Sequence, residues 1–185
     1  MHLFSWGGWT ENADLRWDIA HVRLNQPIGA MTGWHGIGYN SADSFFEDNT
    51  FFNPGYPGES PFNFERMYSR SGYYDDTDTE IVGHNDRSYH GQSGSGSYHI
   101  DGDSRHVYAV RSHGGSSWTG HTRITGSKFE YIVDTVRSST PTTPDLIPLD
   151  VRASPSSLTA GTRLSGLTFL VHNYASATYN GVIKV

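Results

Sequence analysis

Only one stretch of this 185-residue chain carries an apolar period suited to a helix of useful length. Phe129, Ile132, Val133 and Val136 recur at helical spacing. Ser127-Lys128-Phe129-Glu130 has the S-x-x-E form of a capping box. A short amphipathic helix is therefore expected over 127–137. Elsewhere the apolar residues come in short runs, cut by 21 glycines and 8 prolines. Such a chain is limited to short strands joined by tight turns, which makes the fold all-β.

The strands can be placed by alternation. Asp18 to Leu24 puts Asp18, Ala20, Val22 and Leu24 on one face of a strand, and Asn25-Gln26-Pro27-Ile28-Gly29 ends it. Thr32–Tyr39 reads as a second short strand. Residues 41–66 read as loop, with Phe45, Phe46, Phe51, Phe52 and Tyr56 packing it; a carbohydrate platform is the alternative. Strands are expected at 67–74 and 79–82, with the acidic turn Asp75, Asp76 and Asp78 between them. Strands 97–100 and 106–110 flank Asp101-Gly102-Asp103, a hairpin turn that lets His99 and His106 face each other. Thr122 to Thr125 closes the series. Ser138 to Pro144 has the composition of a linker. Beyond it Leu167, Phe169 and Val171 alternate again, so a second β-segment begins near Pro144.

Composition excludes several functions. The net charge of −6, without a basic block, argues against nucleic acid as a partner. No stretch is apolar enough to span a membrane. Cysteine is absent, which rules out disulfides and thiolate chemistry. The opening Met1-His2-Leu3-Phe4 lacks the basic and apolar regions of an export signal. Six of the ten histidines lie between His84 and His121, but without the tight spacing of zinc ligands. Asp75, Asp76, Asp78 and Glu80 lack the regular form of a calcium loop and read as a solvated turn. No metal and no cofactor is expected.

The candidate chemistry lies in Gly91-Gln92-Ser93-Gly94-Ser95-Gly96. Glycines on both sides allow a tight turn whose N–H groups point inward. A serine held there is a candidate nucleophile, with its own N–H and that of Gly91 forming an anion-binding pocket beside it. The plain alternative is a Gly/Ser-rich surface turn.

The order of parts adds to this. A strand opens on an aspartate (Trp17-Asp18-Ile19-Ala20-His21-Val22-Arg23-Leu24). The serine turn follows, then a hairpin, then a strand ending Ser112-His113-Gly114-Gly115, then the terminal helix. Together with Thr32-Gly33-Trp34 and Gly55-Tyr56-Pro57-Gly58, this order resembles the trypsin-like serine endopeptidases. Their cysteine-free bacterial branch, the glutamyl endopeptidases, is the most similar. The resemblance covers about residues 5–137. It implies a trypsin-like double β-barrel with a short C-terminal helix, acting on protein or peptide substrates outside the cell. It further implies that Ser93 is the nucleophile and that Asp18 orients the catalytic histidine. Gly91 and Ser93 N–H groups would bind the oxyanion, and Ser112, His113 and Gly114 would pair with substrate. Ser88 and Arg111 would fall near the specificity pocket, where Arg111 would favour an acidic side chain.

One part of the pattern is missing. The family's catalytic histidine lies in a turn well before the aspartate, and nothing of that kind precedes Asp18. The chain is therefore expected to be a fragment with a truncated first barrel, inactive as it stands and poorly stable. The other reading is a non-catalytic protease homologue or an extracellular adhesion module. The segment after the linker resembles the first half of a bacterial cell-adhesion-related (CARDB) immunoglobulin-like domain, on Pro144-Asp145-Leu146, Ser154 to Gly161 and Val171-His172-Asn173-Tyr174-Ala175. That resemblance implies a β-sandwich with an extracellular ligand. The expected organisation is a protease domain over 1–137, a linker over 138–143 and a partial immunoglobulin-like domain over 144–185.

Overall fold

A computed structural model describes residues 1–24, 28–138, 146–154, 166–173, 175 and 177–181. In chain order the elements are β1 (His2–Ser5), α1 (Gly7–Asn12), a 3-10 turn (Leu15–Trp17), β2 (Ala20–Arg23), α2 (Gly29–Thr32), β3 (Gly36–Ile37), α3 (Asp43–Asp48) and β4 (Phe51–Gly55). There follow β5 (Tyr68–Gly72), β6 (Asp76–Thr77), β7 (Ile81–His84), β8 (Gly96–Asp101), β9 (Ser104–Gly114), β10 (Thr119–Arg123), α4 (Gly126–Ser138), β11 (Leu146–Ser154) and β12 (Gly166–Asn173). The chain forms two compact units. One combines Met1–Arg23 with His35–Val133, the other Leu24–Trp34 with Asp134–Val185.

The first unit is built on an eight-stranded sheet in the order β5-β4-β8-β9-β10-β7-β6, with β3 added alongside β9. The pair β1–β2 forms a separate antiparallel ribbon. Neighbours along the path of the large sheet are antiparallel, and β3 alone runs parallel to its partner. The hairpin expected at 101–103 is present, and His99 lies opposite His106. Gly102 supplies the positive φ, +55°, that the tight turn needs.

The core is aromatic. Phe46, Phe51, Tyr74, Val82 and Ala109 form the buried cluster, with Phe45 and Tyr108 against it. Phe46 and Phe51 stack at 5.4 Å, and burial of each such ring contributes about 2 kcal/mol. These phenylalanines pack as expected, but from a helix and a strand rather than a loop. Residues 43–48 form α3, which has six residues and too few positions to display a period. Two further local readings shift. Asp18 caps the 3-10 turn, and β2 begins only at Ala20. The N-terminus of α4 is capped by Thr125, whose hydroxyl accepts from the Lys128 N–H at 3.5 Å, because Ser127 is already helical.

The acidic residues between β5 and β7 cap turns. Asp75 accepts from the Asn85 N–H at 2.8 Å, and Asp78 from the Glu80 and Ile81 N–H groups at 2.6 and 2.7 Å. Among the described residues, no group of three or more His, Cys, Asp or Glu is arranged to hold a metal ion. No helix among them is long and apolar enough to cross a membrane.

Two histidines are buried in this unit. His84 stacks on Tyr74 at 4.2 Å and bonds the Tyr73 carbonyl through Nδ1. His121 stands edge-on to both at 5.3 Å, with neither ring nitrogen partnered. Burial holds His84 down to about 4, with the nearby Arg70 charge acting in the same direction. Burial also holds His121 well below its ordinary value. The unfolded chain takes up a proton near pH 6.5 that the fold refuses until about pH 4. Unfolding is therefore proton-binding in that interval, and stability falls as the pH drops through it. His84 alone accounts for roughly 3 kcal/mol. Thermal melts from pH 8 to pH 4 are expected to show a falling midpoint below about pH 6.5; a flat profile contradicts this.

In the second unit, β11 and β12 pair as an antiparallel hairpin, with a register shift between Pro148 and Asp150. Apart from Ser138, the last residue of α4, the linker expected at 138–143 lies outside the described residues.

Candidate active site

The serine turn is fixed from two strands. The Gly94 N–H donates to the Arg111 carbonyl at 2.8 Å, and the Arg111 N–H donates to the Ser95 carbonyl at 2.9 Å. From β4, the buried Asn53 amide reaches Ser95 Oγ at 3.2 Å and the Gly96 carbonyl at 3.2 Å. Gly91 and Gly94 have φ of +91° and +81°. At Gly91 a Cβ would also meet the Phe64 ring at 2.4 Å and the Tyr56 carbonyl at 2.6 Å, so only glycine fits. The N–H groups of Gly91 and Ser93 have no backbone acceptor among the described residues.

Asp18 comes from the other end of the unit. The preceding 3-10 turn is held by Thr122, which donates to the Leu15 carbonyl at 3.0 Å. Lys128 of α4 donates to the Arg16 carbonyl at 2.6 Å. The Lys128 ammonium is fully buried, paired with Glu80 at 2.7 Å and placed over the Trp17 ring at 4.9 Å. Burial lowers its pKa, and the Glu80 carboxylate opposes that shift.

The two candidates meet at Ser112. In the β9–β10 ladder, Gly120 opposes His113 and His121 opposes Arg111, so Ser112 is bulged out. A bulge re-aims its side chain. The Ser112 hydroxyl donates to Asp18 Oδ2 at 2.6 Å. Its carbonyl accepts from Ser93 Oγ at 3.4 Å. His113 Nδ1 donates to the same Ser112 hydroxyl at 3.0 Å, extending the chain of bonds. Burial lowers the His113 pKa against the pull of Asp18.

A cleft of about 390 Å³ opens beside Ser93, lined by Ser88, Ser112, His113 and Gly114 among others. Arg111 is not on its surface. It is 4 % exposed and lies behind Ser88, its guanidinium donating to Ser88 Oγ at 3.4 Å, Thr119 Oγ1 at 3.3 Å and Asn53 Oδ1 at 3.2 Å. Its Nε has no partner, and no carboxylate among the described residues is within ion-pair distance. Burial lowers its pKa, opposed mainly by the Asp86 charge. The structure thus brings Asp18, Ser93, Ser112 and His113 into one network and puts Arg111 beneath the cleft.

Sequence reasoning missed the tether itself. Ser112 was read for its backbone, and its hydroxyl proves to hold Asp18. It also missed Thr122 and Lys128, whose only signal was their polarity in segments otherwise fit for burial.

No family model matches the chain. A curated relative, an extracellular metalloprotease of Bacillus subtilis (strain 168), is 28% identical over 131 residues, covering 70% of this chain and 41% of that protein. Three solved structures share the fold. A Glu endopeptidase superimposes with a TM-score of 0.61 at 20% identity, covering 73% of this chain and 62% of its own. The protease Anisep from Arthrobacter nicotinovorans gives 0.57 at 21%, covering 75% and 66%. The thermostable serine protease AL20, from an extremophilic microorganism, gives 0.59 at 15%, covering 75% and 67%. This chain therefore spans about two fifths of the curated relative and about two thirds of the solved chains. The fold is mostly β and trypsin-like, its large sheet a curled half-barrel with a closing helix.

Proposed function

We propose that this chain carries the nucleophile and the orienting carboxylate of a secreted serine endopeptidase. The observation that supports it best is the bulge at Ser112, which bonds Asp18 on one side and Ser93 on the other. In this reading Ser93 Oγ attacks the scissile carbonyl and its proton passes to a histidine seated between Ser93 and Asp18. The Gly91 and Ser93 N–H groups stabilise the oxyanion, roughly 3 kcal/mol for each donor. The proton then goes to the leaving amine, and water hydrolyses the acyl-enzyme. No histidine among the described residues bonds Ser93 Oγ or Asp18. In this reading the base is a histidine that the described residues do not hold against Ser93 or Asp18, and the chain alone is expected to be inactive. That same gap favours the second reading, a homologue that binds peptides in the cleft without cutting them.

The protein expressed from its own gene separates the two. Hydrolysis of a peptide library that is blocked by a fluorophosphonate supports the enzyme; cleft binding with no hydrolysis supports the homologue. The extracellular relative and the trypsin-like neighbours also support the protease reading and a place outside the cell. In keeping with the resemblance at 144–185, the β11–β12 hairpin would begin an immunoglobulin-like unit that binds an extracellular ligand.

Arg111 refines the substrate. A buried guanidinium without a carboxylate calls for an anion, and the route from the cleft passes Ser88. Peptides with Glu before the scissile bond are expected to be cut roughly tenfold or more faster than those with Gln. In Arg111→Leu that ratio falls towards one. An unchanged ratio, measured as kcat/KM within the same variant, assigns Arg111 to the scaffold alone.

A further inference from the structure

We infer that a second cavity, behind the serine turn, binds a peptide segment that presents an aromatic side chain beside its backbone amide. It has a volume of about 350 Å³ and adjoins the cleft that holds Ser93. Phe62, Tyr68 and Tyr89 wall one side, with Phe62 edge-on to both tyrosines at 4.7 and 4.9 Å. These rings offer both faces and edges to an incoming ring.

The polar side is incomplete. Gln92 is 7% exposed, and its Oε1 is buried with no hydrogen-bond partner. Arg70 pairs its Nε with Asp86, yet its Nη1 is also buried and unpartnered. Buried polar groups are nearly always satisfied, and both residues line this cavity, so a ligand that displaces the cover over these two atoms would meet one acceptor and one donor that lack their complements. A peptide group supplies one N–H and one C=O. A carboxylate would meet Gln92 Oε1 lone pair to lone pair, and an ammonium would meet Arg70, so a neutral amide fits best.

The position gives the site a consequence. Gln92 directly precedes Ser93, and its carbonyl accepts from the Ser95 hydroxyl at 2.5 Å. Arg87 and Tyr89 line both cavities. A bound segment therefore grips the loop that carries Ser93. The binding itself does not depend on the catalytic reading.

The test titrates N-acetyl-L-phenylalaninamide into the ¹⁵N-labelled chain. Saturable shifts are expected at the Gln92 side-chain amide and at Arg70 and Tyr89. N-acetyl-L-alaninamide and 3-phenylpropionate should bind at least ~10-fold more weakly, since each lacks one half of the ligand. Gln92→Leu should weaken the probe ~10-fold with the melting midpoint retained, and Phe62→Ala, at a half-exposed loop position, should do the same. Absence of saturable shifts overturns the inference. So does binding that both variants retain in full, or shifts confined to residues 112–116 of the catalytic cleft.

Discussion

Ser93→Ala is expected to abolish peptide-bond hydrolysis by the protein expressed from its own gene, by ~10⁴-fold or more, with little change in melting midpoint. The hydroxyl is exposed and makes one long bond, 3.4 Å to the Ser112 carbonyl. Its removal leaves no buried group unsatisfied, and surface changes of this kind stay within about 0.5 kcal/mol. The catalytic cost is of another size. A nucleophile, its base and the orienting acid act as a unit, and loss of the nucleophile removes nearly everything beyond binding and oxyanion stabilisation. Initial rates on a fluorogenic peptide, beside melts of both proteins, check the two halves. A variant that keeps its rate removes Ser93 from the chemistry.

Asp18→Asn is expected to cost on the order of 10⁴ in kcat. The two side chains are nearly isosteric, and an Asn Oδ1 still accepts from the Ser112 hydroxyl, now 2.6 Å from Asp18 Oδ2. The 3-10 turn beneath it is held by Thr122 and Lys128, neither of which bonds the carboxylate. The fold should thus survive. What the amide lacks is the charge that fixes a histidine's tautomer and stabilises the imidazolium. Ser112→Ala supplies the comparison. It frees Asp18 without neutralising it and should cost far less than Asp18→Asn. If the two cost the same, Asp18 acts only as part of the scaffold.

The parts legible in the sequence are those where backbone geometry depends on a residue's identity. Gly91 and Gly94 announced the turn around Ser93 because left-handed backbone selects glycine. Asp101-Gly102-Asp103 announced the hairpin for the same reason. The apolar period at 129–136 announced α4. Short helices at 7–12 and 43–48 did not show, since six residues hold under two turns of pattern.

Polar burial was hidden more deeply. β10, Thr119–Arg123, is buried at every position although it reads Thr-Gly-His-Thr-Arg. Arg123 is buried by bonds to Asp43, the Asp78 carbonyl and the Asn40 carbonyl. Those acceptors arrive from 45 to 83 residues away, so no local pattern reports them. Arg111 and Lys128 were hidden in the same way. Residue type and order single out Asp18 and Ser93 as candidates, but the bulge at Ser112 that joins them is a tertiary feature.

The central claim is that Ser93 is the nucleophile of this fold. Peptide mapping by mass spectrometry after treatment with a fluorophosphonate tests it most directly, on the protein expressed from its own gene. One covalent adduct on Ser93, absent from Ser93→Ala and matched by loss of hydrolysis, is the predicted result. Hydrolysis that survives the fluorophosphonate with Ser93 unlabelled, and stops on adding a metal chelator, contradicts it.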